Sequence, residues 1–202
     1  MKQIITIQHT QSIHHTNGMV GSWTDWDLSP LGIEQAKHIA AKLQKQLAGE
    51  NWCIYTSDLL RAKRTAGIIG QALEITPIHT VALRERNLGA CVGKSVQWLR
   101  ENMTAPERTI DDRLFPDAES RRDEWNRLRP FFQQLMDSDA EKIIIVSHGD
   151  MLGVFHAMWL GLAPEVLNYA DFSGSAGGVS FLRENADGRR IIRRFSDMSY
   201  LE

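Results

Sequence analysis

The sequence predicts an α/β protein: a three-layer α/β/α sandwich around a mostly parallel central sheet with one antiparallel edge strand. Short apolar and β-branched runs end at Gln8, Thr56 and Ser147, and each precedes a segment with helical apolar spacing. The run Lys142–Ser147 contains four consecutive aliphatic residues, which is typical of a strand buried on both faces. Strands that alternate with helices favour a parallel sheet covered on both sides.

Local signals place the elements of the first half of the chain. The first strand ends at Gln8-His9, and a polar loop follows from Thr10 to Ser29. Ser29-Pro30 is typical of a helix N-cap followed by a first-turn proline, and the apolar spacing continues to about Gly49. Next come a strand over 52–56, a helix from 57–58, a short strand over 75–81 and an irregular stretch over 84–94.

The second half contains the clearest strand and a hairpin. The predicted elements are a weak helix over 96–102, a surface excursion over 105–117, a helix over 119–135 broken or bent at Pro130, a strand over 142–147, a helix over 149–160, and strands over 179–182 and 191–195. Asp187-Gly188 is a turn signal between the last two strands. We expect residues 1–202 to form a single domain with a small cap or excursion near 95–117.

Composition excludes several classes of protein. The 202 residues carry 23 Lys and Arg against 25 Asp and Glu, so net charge does not favour nucleic acid or an anionic membrane. We expect no signal peptide and no membrane span. Cys53 and Cys91 lie far apart and form no CxxC motif, which favours reduced thiols and a cytoplasmic location.

Three candidate functional residues follow predicted strands. His9 ends the first strand, Arg61 follows the second, and His148 ends the strongest one. Each alone has an ordinary interpretation, as a structural histidine or a surface arginine. Because ligands bind beyond the carboxyl ends of parallel strands, the three together predict an anion site, provided that these strands are neighbours.

Several ordered motifs extend over nearly the whole chain. They are QHTQS at 8–12, DWDLSPLG at 25–32, YTSDLLRA at 55–62, LRERNLG at 83–89, Glu119-Ser120, and VSHG at 146–149. In order and spacing they resemble the histidine phosphatase superfamily, which includes cofactor-independent acid-type phosphatases and the 2,3-bisphosphoglycerate-dependent phosphoglycerate mutases. The resemblance implies a phosphoglycerate mutase-like fold and an enzyme that handles phosphoryl groups.

The resemblance also implies a role for each matching residue. His9 would be the nucleophile and form a phosphohistidine, which water hydrolyses. His148 and Arg61 would hold the equatorial oxygens of the phosphoryl group. Glu85 would protonate the leaving oxygen and then accept a proton from water, which requires a raised pKa. No metal and no cofactor are implied.

The sequence departs from the family pattern beside the nucleophile. Gln8 replaces the motif arginine, and Thr10 replaces the following glycine. Gln8 donates a hydrogen bond but supplies no positive charge. His15 stands where the family often has a phosphate-contacting asparagine, and His14 precedes it. Either histidine, if protonated, would replace the lost charge; the alternative is that both only line a polar loop. We expect Gln8, His15, Ser22 and Gly149 to contact the substrate or its phosphate.

Two other interpretations of local patterns carry less weight. A transition-metal site is suggested by the cluster of His9, His14 and His15, with His148 nearby, but their spacing is not a standard ligand pattern. We therefore predict no metal. The basic pairs at 189–190 and 193–194 alternate with isoleucine as on an edge strand, and without aromatic partners they do not predict nucleic-acid binding.

The sequence favours a phosphomonoesterase that hydrolyses a small phosphorylated metabolite through a phosphohistidine. A phosphoglycerate mutase is the nearest alternative, but the region over 95–117 is short for a cap that retains a bisphosphate. A degenerate, non-catalytic protein that binds a phosphorylated ligand is the second alternative. Retention of His9, Arg61, Glu85 and His148 together argues against that alternative. The sequence leaves the substrate and the oligomeric state open.

Overall fold

The structure, a computed structural model, describes residues 1–104 and 106–202. The strands in these ranges are β1 (Gln3–Gln8), β2 (Cys53–Ser57), β3 (Ile78–Thr80), β4 (Lys142–Ser147), β5 (Val179–Glu184) and β6 (Arg190–Asp197). The α-helices are α1 (His14–Asn17), α2 (Pro30–Leu47), α3 (Leu60–Leu73), α4 (Val96–Asn102), α5 (Arg121–Asp137) and α6 (Gly149–Trp159). Short 3₁₀ helices cover Val81–Leu83, Gly89–Cys91, Pro164–Asn168 and Met198–Leu201.

The strands form one mixed sheet in the order β3-β2-β4-β1-β5-β6. The pairs β3–β2, β2–β4 and β4–β1 are parallel, whereas β5 is antiparallel to both of its neighbours. The predicted α/β class with a mostly parallel sheet is confirmed. The antiparallel strand is β5, which lies one place in from the edge because the hairpin adds β6 outside it.

Each face of the sheet buries its own pair of helices. Successive side chains of a strand point to opposite faces, so Ile5 and Ile144 pack on α2 and α3 while Ile4 and Ile143 pack on α5 and α6. All four isoleucines are at most 1% exposed. This double burial explains why β4 lacks polar alternation.

The start of α2 is fixed against the loop that follows β1. The Ser29 hydroxyl accepts a hydrogen bond from Gly32 N at 3.0 Å, as predicted for the N-cap. A Cβ on Gly32 would lie 1.9 Å from the carbonyl oxygen of Gln11, so only glycine allows this approach. The contact holds the loop after His9 close to the helical layer.

The predicted break at Pro130 does not occur, since α5 continues from Arg121 to Asp137. A capping box between Ser120 and Asp123 starts the helix. Leu128 and Phe132 are buried against the sheet on either side of the proline, which itself lies on the exposed face. Packing therefore holds the helix together despite the hydrogen bond that proline removes.

The regions predicted as irregular contain more structure than expected. The loop over 10–29 includes α1, which ends at Gly18 in the left-handed conformation with φ 71°. Phe115 in the predicted excursion stacks on Trp98 of α4, with ring centroids 5.6 Å apart. Ala105, at the start of that excursion, lies outside the described residues. Among the described residues, no helix has both the length and the apolar character needed to span a membrane.

Candidate active site

His9 lies directly beyond the carboxyl end of β1, and its ring is held in one tautomer. Its Nδ1 donates a hydrogen bond to the carbonyl oxygen of Thr10 at 2.8 Å. In a neutral imidazole the proton on Nδ1 leaves Nε2 with a free lone pair. That Nε2 accepts a hydrogen bond from Nε of Arg61 at 3.1 Å. His9 is 2% exposed, so a buried, oriented nitrogen faces a guanidinium.

Arg61 sits in the first turn of α3, where β2 leads into the helix. Its Nη1 donates to the carbonyl oxygen of Thr24 and its Nη2 to that of Ser22, each at 2.8 Å. Both terminal nitrogens of the guanidinium are therefore held by backbone carbonyl oxygens, while Nε points to His9. Burial lowers the pKa of Arg61 to about 10, which still leaves it positively charged at neutral pH.

His148 follows β4, which lies between β1 and β2. The strands that precede His9, Arg61 and His148 are therefore neighbours, as the predicted anion site requires. The ring centroid of His148 lies 5.1 Å from that of His9, with 63° between the ring planes. Within the described residues, neither ring nitrogen of His148 has a hydrogen-bond partner, although the residue is fully buried. An unpartnered buried imidazole is costly unless a ligand satisfies it.

The histidines near Arg61 are held neutral. Burial, followed by the charge of Arg61, holds the pKa of His9 and of His148 well below the ordinary value. Burial and the neighbouring His15 lower the pKa of His14 to about 3. Burial and Arg61 also lower the pKa of His15. At neutral pH these residues therefore offer neutral donors and lone pairs, whereas Arg61 supplies the positive charge.

Glu85 is the residue that the resemblance assigns as the acid, and two side chains hold its backbone carbonyl. Its carbonyl oxygen accepts hydrogen bonds from Trp23 Nε1 at 2.6 Å and from Arg127 Nη2 at 3.1 Å. Its Oε1 accepts from the backbone N–H of Arg86 and of Met151. Burial, reinforced by the charge of Asp150, raises the pKa of Glu85 to about 7. A carboxyl with that pKa can give and take a proton near neutral pH.

Arg86 and Asp150 form a charged wall beside Glu85 that sequence reasoning missed. Arg86 is 5% exposed and makes a bidentate pair with Glu107, at 2.6 and 3.1 Å. Its Nε lies 3.2 Å from Asp150 Oδ2. The position of Arg86 directly after the candidate acid, and of Asp150 directly after Gly149, was the available sequence signal.

The predicted substrate-contacting residues differ in how free their side chains are. Within the described residues, Gln8 Oε1 is buried without a partner, and Gln8 faces Gly149. His15 is exposed, and its Nδ1 accepts a hydrogen bond from Ser12 N at 3.2 Å, so Nε2 carries the proton of the neutral ring. The Ser22 hydroxyl instead joins two loops: it donates to the Arg86 carbonyl oxygen and accepts from Leu88 N.

One cavity of about 360 Å³ brings the predicted residues together. The predicted residues that line it are Gln8, His9, His15, Ser22, Arg61, Glu85 and Gly149. His148 is not part of the lining, although its ring centroid lies 5.1 Å from that of His9. Sequence reasoning did not assign the other lining residues to the site; they are His14, Gly21, Arg86, Leu88, Asp150, Ser173 and Gly174. Ser173 and Gly174 precede β5 and contact the site only because that strand lies beside β1.

Residues 4–197 match the histidine phosphatase superfamily (branch 1). The chain belongs to this superfamily. A 2,3-bisphosphoglycerate-dependent phosphoglycerate mutase of Allorhizobium ampelinum is 29% identical over 160 residues, which cover 74% of this chain and 75% of the mutase.

Two solved structures share the fold at lower identity. A mycobacterial glucosyl-3-phosphoglycerate phosphatase in complex with VO3 has a TM-score of 0.83 at 21% identity, over 98% of this chain and 100% of that one. A phosphoserine phosphatase of Entamoeba histolytica in complex with 3-phosphoglyceric acid has a TM-score of 0.75 at 20% identity, over 100% of both chains. At these identities the likeness establishes the fold alone.

Proposed function

We propose that the protein is a phosphomonoesterase that hydrolyses a small phosphorylated metabolite through a phosphohistidine on His9. The observation that carries the proposal is the state of His9. Its Nδ1–H is bound to the Thr10 carbonyl oxygen, and its lone pair on Nε2 faces Arg61. An unprotonated, oriented nitrogen beside a cation suits attack on the phosphorus of a phosphate ester.

In the first step, Nε2 of His9 gives up the hydrogen bond from Arg61 Nε and attacks phosphorus as the bond to the leaving oxygen breaks. Glu85 gives its proton to that oxygen, so the alcohol leaves neutral and Glu85 becomes a carboxylate. Oε1 of Glu85 already accepts two backbone hydrogen bonds, so Oε2 is the oxygen that would carry the proton. Arg61 and His148 stabilise the charge on the equatorial oxygens of the phosphoryl group.

In the second step, water attacks the phosphorus of the phosphohistidine and Glu85 takes a proton from that water. The bond between phosphorus and Nε2 breaks, inorganic phosphate leaves, and His9 returns to its starting state. The pKa of Glu85, raised to about 7 by burial and then by Asp150, suits both directions of proton transfer. The mechanism requires neither a metal nor a cofactor.

Gln8, His15 and Gly149 complete the proposed phosphate site with neutral groups. Nε2–H of His15 is a donor in its uncharged form, because Ser12 N–H occupies Nδ1. Burial and Arg61 lower the pKa of His15, so the ring is neutral. A neutral His15 can take the place of the family's asparagine as a hydrogen-bond donor, but it does not supply the missing positive charge. Ser22 supports Arg61 through its carbonyl oxygen.

The second candidate function is transfer of a phosphoryl group between substrates, because one relative of the chain is a phosphoglycerate mutase. A mutase must bind a second phosphate group while the first is on the nucleophile. In this cavity Arg86 is already paired with Glu107 and Asp150, and Arg61 is assigned to the phosphoryl group that is transferred. Neither cation is therefore left for a second phosphate, which favours hydrolysis over retention of a bisphosphate.

The test is hydrolysis of p-nitrophenyl phosphate and of a panel of metabolite phosphates in the presence of EDTA. We expect the wild type to turn over and His9→Ala to lose activity to background, with His79→Ala, an exposed histidine on β3, as the control that keeps it. Phosphoglycerate isomerisation that needs 2,3-bisphosphoglycerate and exceeds hydrolysis would favour the mutase. The absence of turnover on every compound would favour a protein that only binds phosphorylated ligands.

A further inference from the structure

Although the spacing in the sequence predicts no metal, we propose from the geometry that His9, His14 and His15 bind one divalent transition-metal ion such as Zn²⁺, and that the ion blocks the proposed nucleophile. One ligand nitrogen from each ring lies within 4.8 Å of the others. The ring centroids are 5.8 Å apart for His9 and His14, 5.5 Å for His9 and His15, and 4.0 Å for His14 and His15. Imidazole nitrogens are ligands that Zn²⁺, Cu²⁺ and Ni²⁺ prefer.

The distances require a small contraction of the cluster. Zinc binds imidazole nitrogen at about 2.0–2.1 Å, so two nitrogens of a tetrahedral site lie about 3.4 Å apart. His9 is buried and fixed, whereas His14 is half-buried and His15 exposed. His14 and His15 both lie on the short helix α1, so rotation about their side-chain torsions is the movement that would bring their ring nitrogens closer to His9.

Two of the rings are already oriented as metal ligands. Nδ1 of His9 contacts the Thr10 carbonyl oxygen at 2.8 Å, and Nδ1 of His14 contacts the Ser12 hydroxyl at 2.9 Å. Histidine ligands commonly donate the second ring N–H to a carbonyl or another oxygen, which fixes the ring and leaves the other nitrogen for the metal. Nε2 of His9 and of His14 are therefore the nitrogens that we assign to the ion.

Two contacts oppose binding and make it reversible. Arg61, which is positively charged, donates to Nε2 of His9, and His15 must release the Ser12 amide to bind the ion. The ion and the phosphoryl group need the same lone pair of His9, so they exclude one another. Metal binding itself does not depend on the proposed function; the block on turnover does.

The binding test is a titration of the metal-free full chain with Zn²⁺ by calorimetry and with Co²⁺ by visible absorption. We expect one ion per chain in the wild type and in His79→Ala, and a dissociation constant at least about tenfold higher in His14→Ala. The expected Co²⁺ spectrum is that of a site with nitrogen ligands. No binding by the wild type, or equal affinity in His14→Ala and His79→Ala, would overturn the site.

The blocking test measures hydrolysis of p-nitrophenyl phosphate at rising Zn²⁺, with each variant scaled to its own rate in EDTA. We expect inhibition that EDTA reverses, and an inhibitory concentration about tenfold higher in His14→Ala, in proportion to its weaker binding. Stoichiometric binding without inhibition would overturn the block on His9. If the chain has no hydrolytic activity, the proposed function fails while the calorimetric titration still decides the metal site.

Discussion

Gln8 is the residue that separates this site most clearly from the pattern of its family. It lies beside His9, and its Oε1 is buried without a partner among the described residues. Removing one donor that contacts the transition state costs about 3 kcal/mol, and a neutral amide supplies no charge to such a contact. The proposed enzyme therefore depends on Arg61 as the cation that contacts the nucleophile.

Restoring the charge at this position should raise the rate. We expect Gln8→Arg to increase kcat/KM on metabolite phosphates by at least about tenfold, because each 1.4 kcal/mol of transition-state stabilisation changes the rate tenfold. Steady-state kinetics in EDTA measure the effect, with Gln8→Met as the uncharged control of similar length. An unchanged or lower kcat/KM in a folded Gln8→Arg protein would show that the missing charge does not limit the reaction.

Burial, and then the charge of Asp150, raise the pKa of Glu85 and so set the pH range in which it works. Glu85 must be protonated to serve as the acid, so turnover of an alkyl phosphate falls as pH rises through the pKa of Glu85, about 7. Asp150→Asn removes a negative charge that raises this pKa. We therefore expect the alkaline limb of the kcat profile to move to lower pH.

The control for that profile is Asp139→Asn, which changes an exposed carboxyl away from the cavity. Its profile should coincide with that of the wild type. An alkaline limb that stays in place in Asp150→Asn, or one that moves to higher pH, would mean that Glu85 is not the acid.

Within the single element α5, the carboxyl of Glu124 lowers the stability of the fold as the pH rises above the ordinary pKa of a glutamate. Glu124 is completely buried, and neither of its carboxyl oxygens has a hydrogen-bond partner among the described residues. Burial, and then the charges of Asp150 and Glu85, raise its pKa well above 4.5. Between 4.5 and the raised value the unfolded chain has released the proton that the native chain keeps, so stability falls as pH rises.

Glu124→Gln should remove this dependence, since an amide resembles the protonated carboxyl and does not titrate. We expect the Tm of Glu124→Gln to exceed that of the wild type at pH 8 by more than at pH 5. Thermal unfolding followed by circular dichroism measures both differences, with the exposed Glu101→Gln as the control. A difference in Tm that is equal at the two pH values would contradict the assignment of a buried, neutral Glu124.

Elements with one strong local signal were predictable, and those decided by packing were not. The Ser29 cap and the uninterrupted aliphatic run of β4 identify α2 and β4 closely from sequence. The continuity of α5 through Pro130 depends on Leu128 and Phe132, whose burial only the fold determines. The four-residue helix α1 lies in a polar loop and depends on the contacts of that loop with its surroundings. Apolar spacing in the sequence gives no signal for such a helix.

At the scale of the whole molecule, the order of the strands builds the site. Because β4 lies between β1 and β2, His9, His148 and Arg61 leave neighbouring strand ends and meet in one place. Their positions after predicted strands indicated these three residues from sequence, and the resemblance to the family added Glu85. Arg86 and Asp150 were missed because their contacts join segments far apart in the chain, which sequence spacing does not reveal.

The measurement that tests the central claim most directly is detection of the covalent intermediate. The protein is mixed with excess substrate, quenched in alkali, in which phosphohistidine survives, and its peptides are analysed by mass spectrometry. We expect phosphate on His9 in the wild type and none at that position in His9→Ala. Turnover in the wild type without phosphate on His9, or hydrolysis that persists in His9→Ala, would contradict the phosphohistidine mechanism.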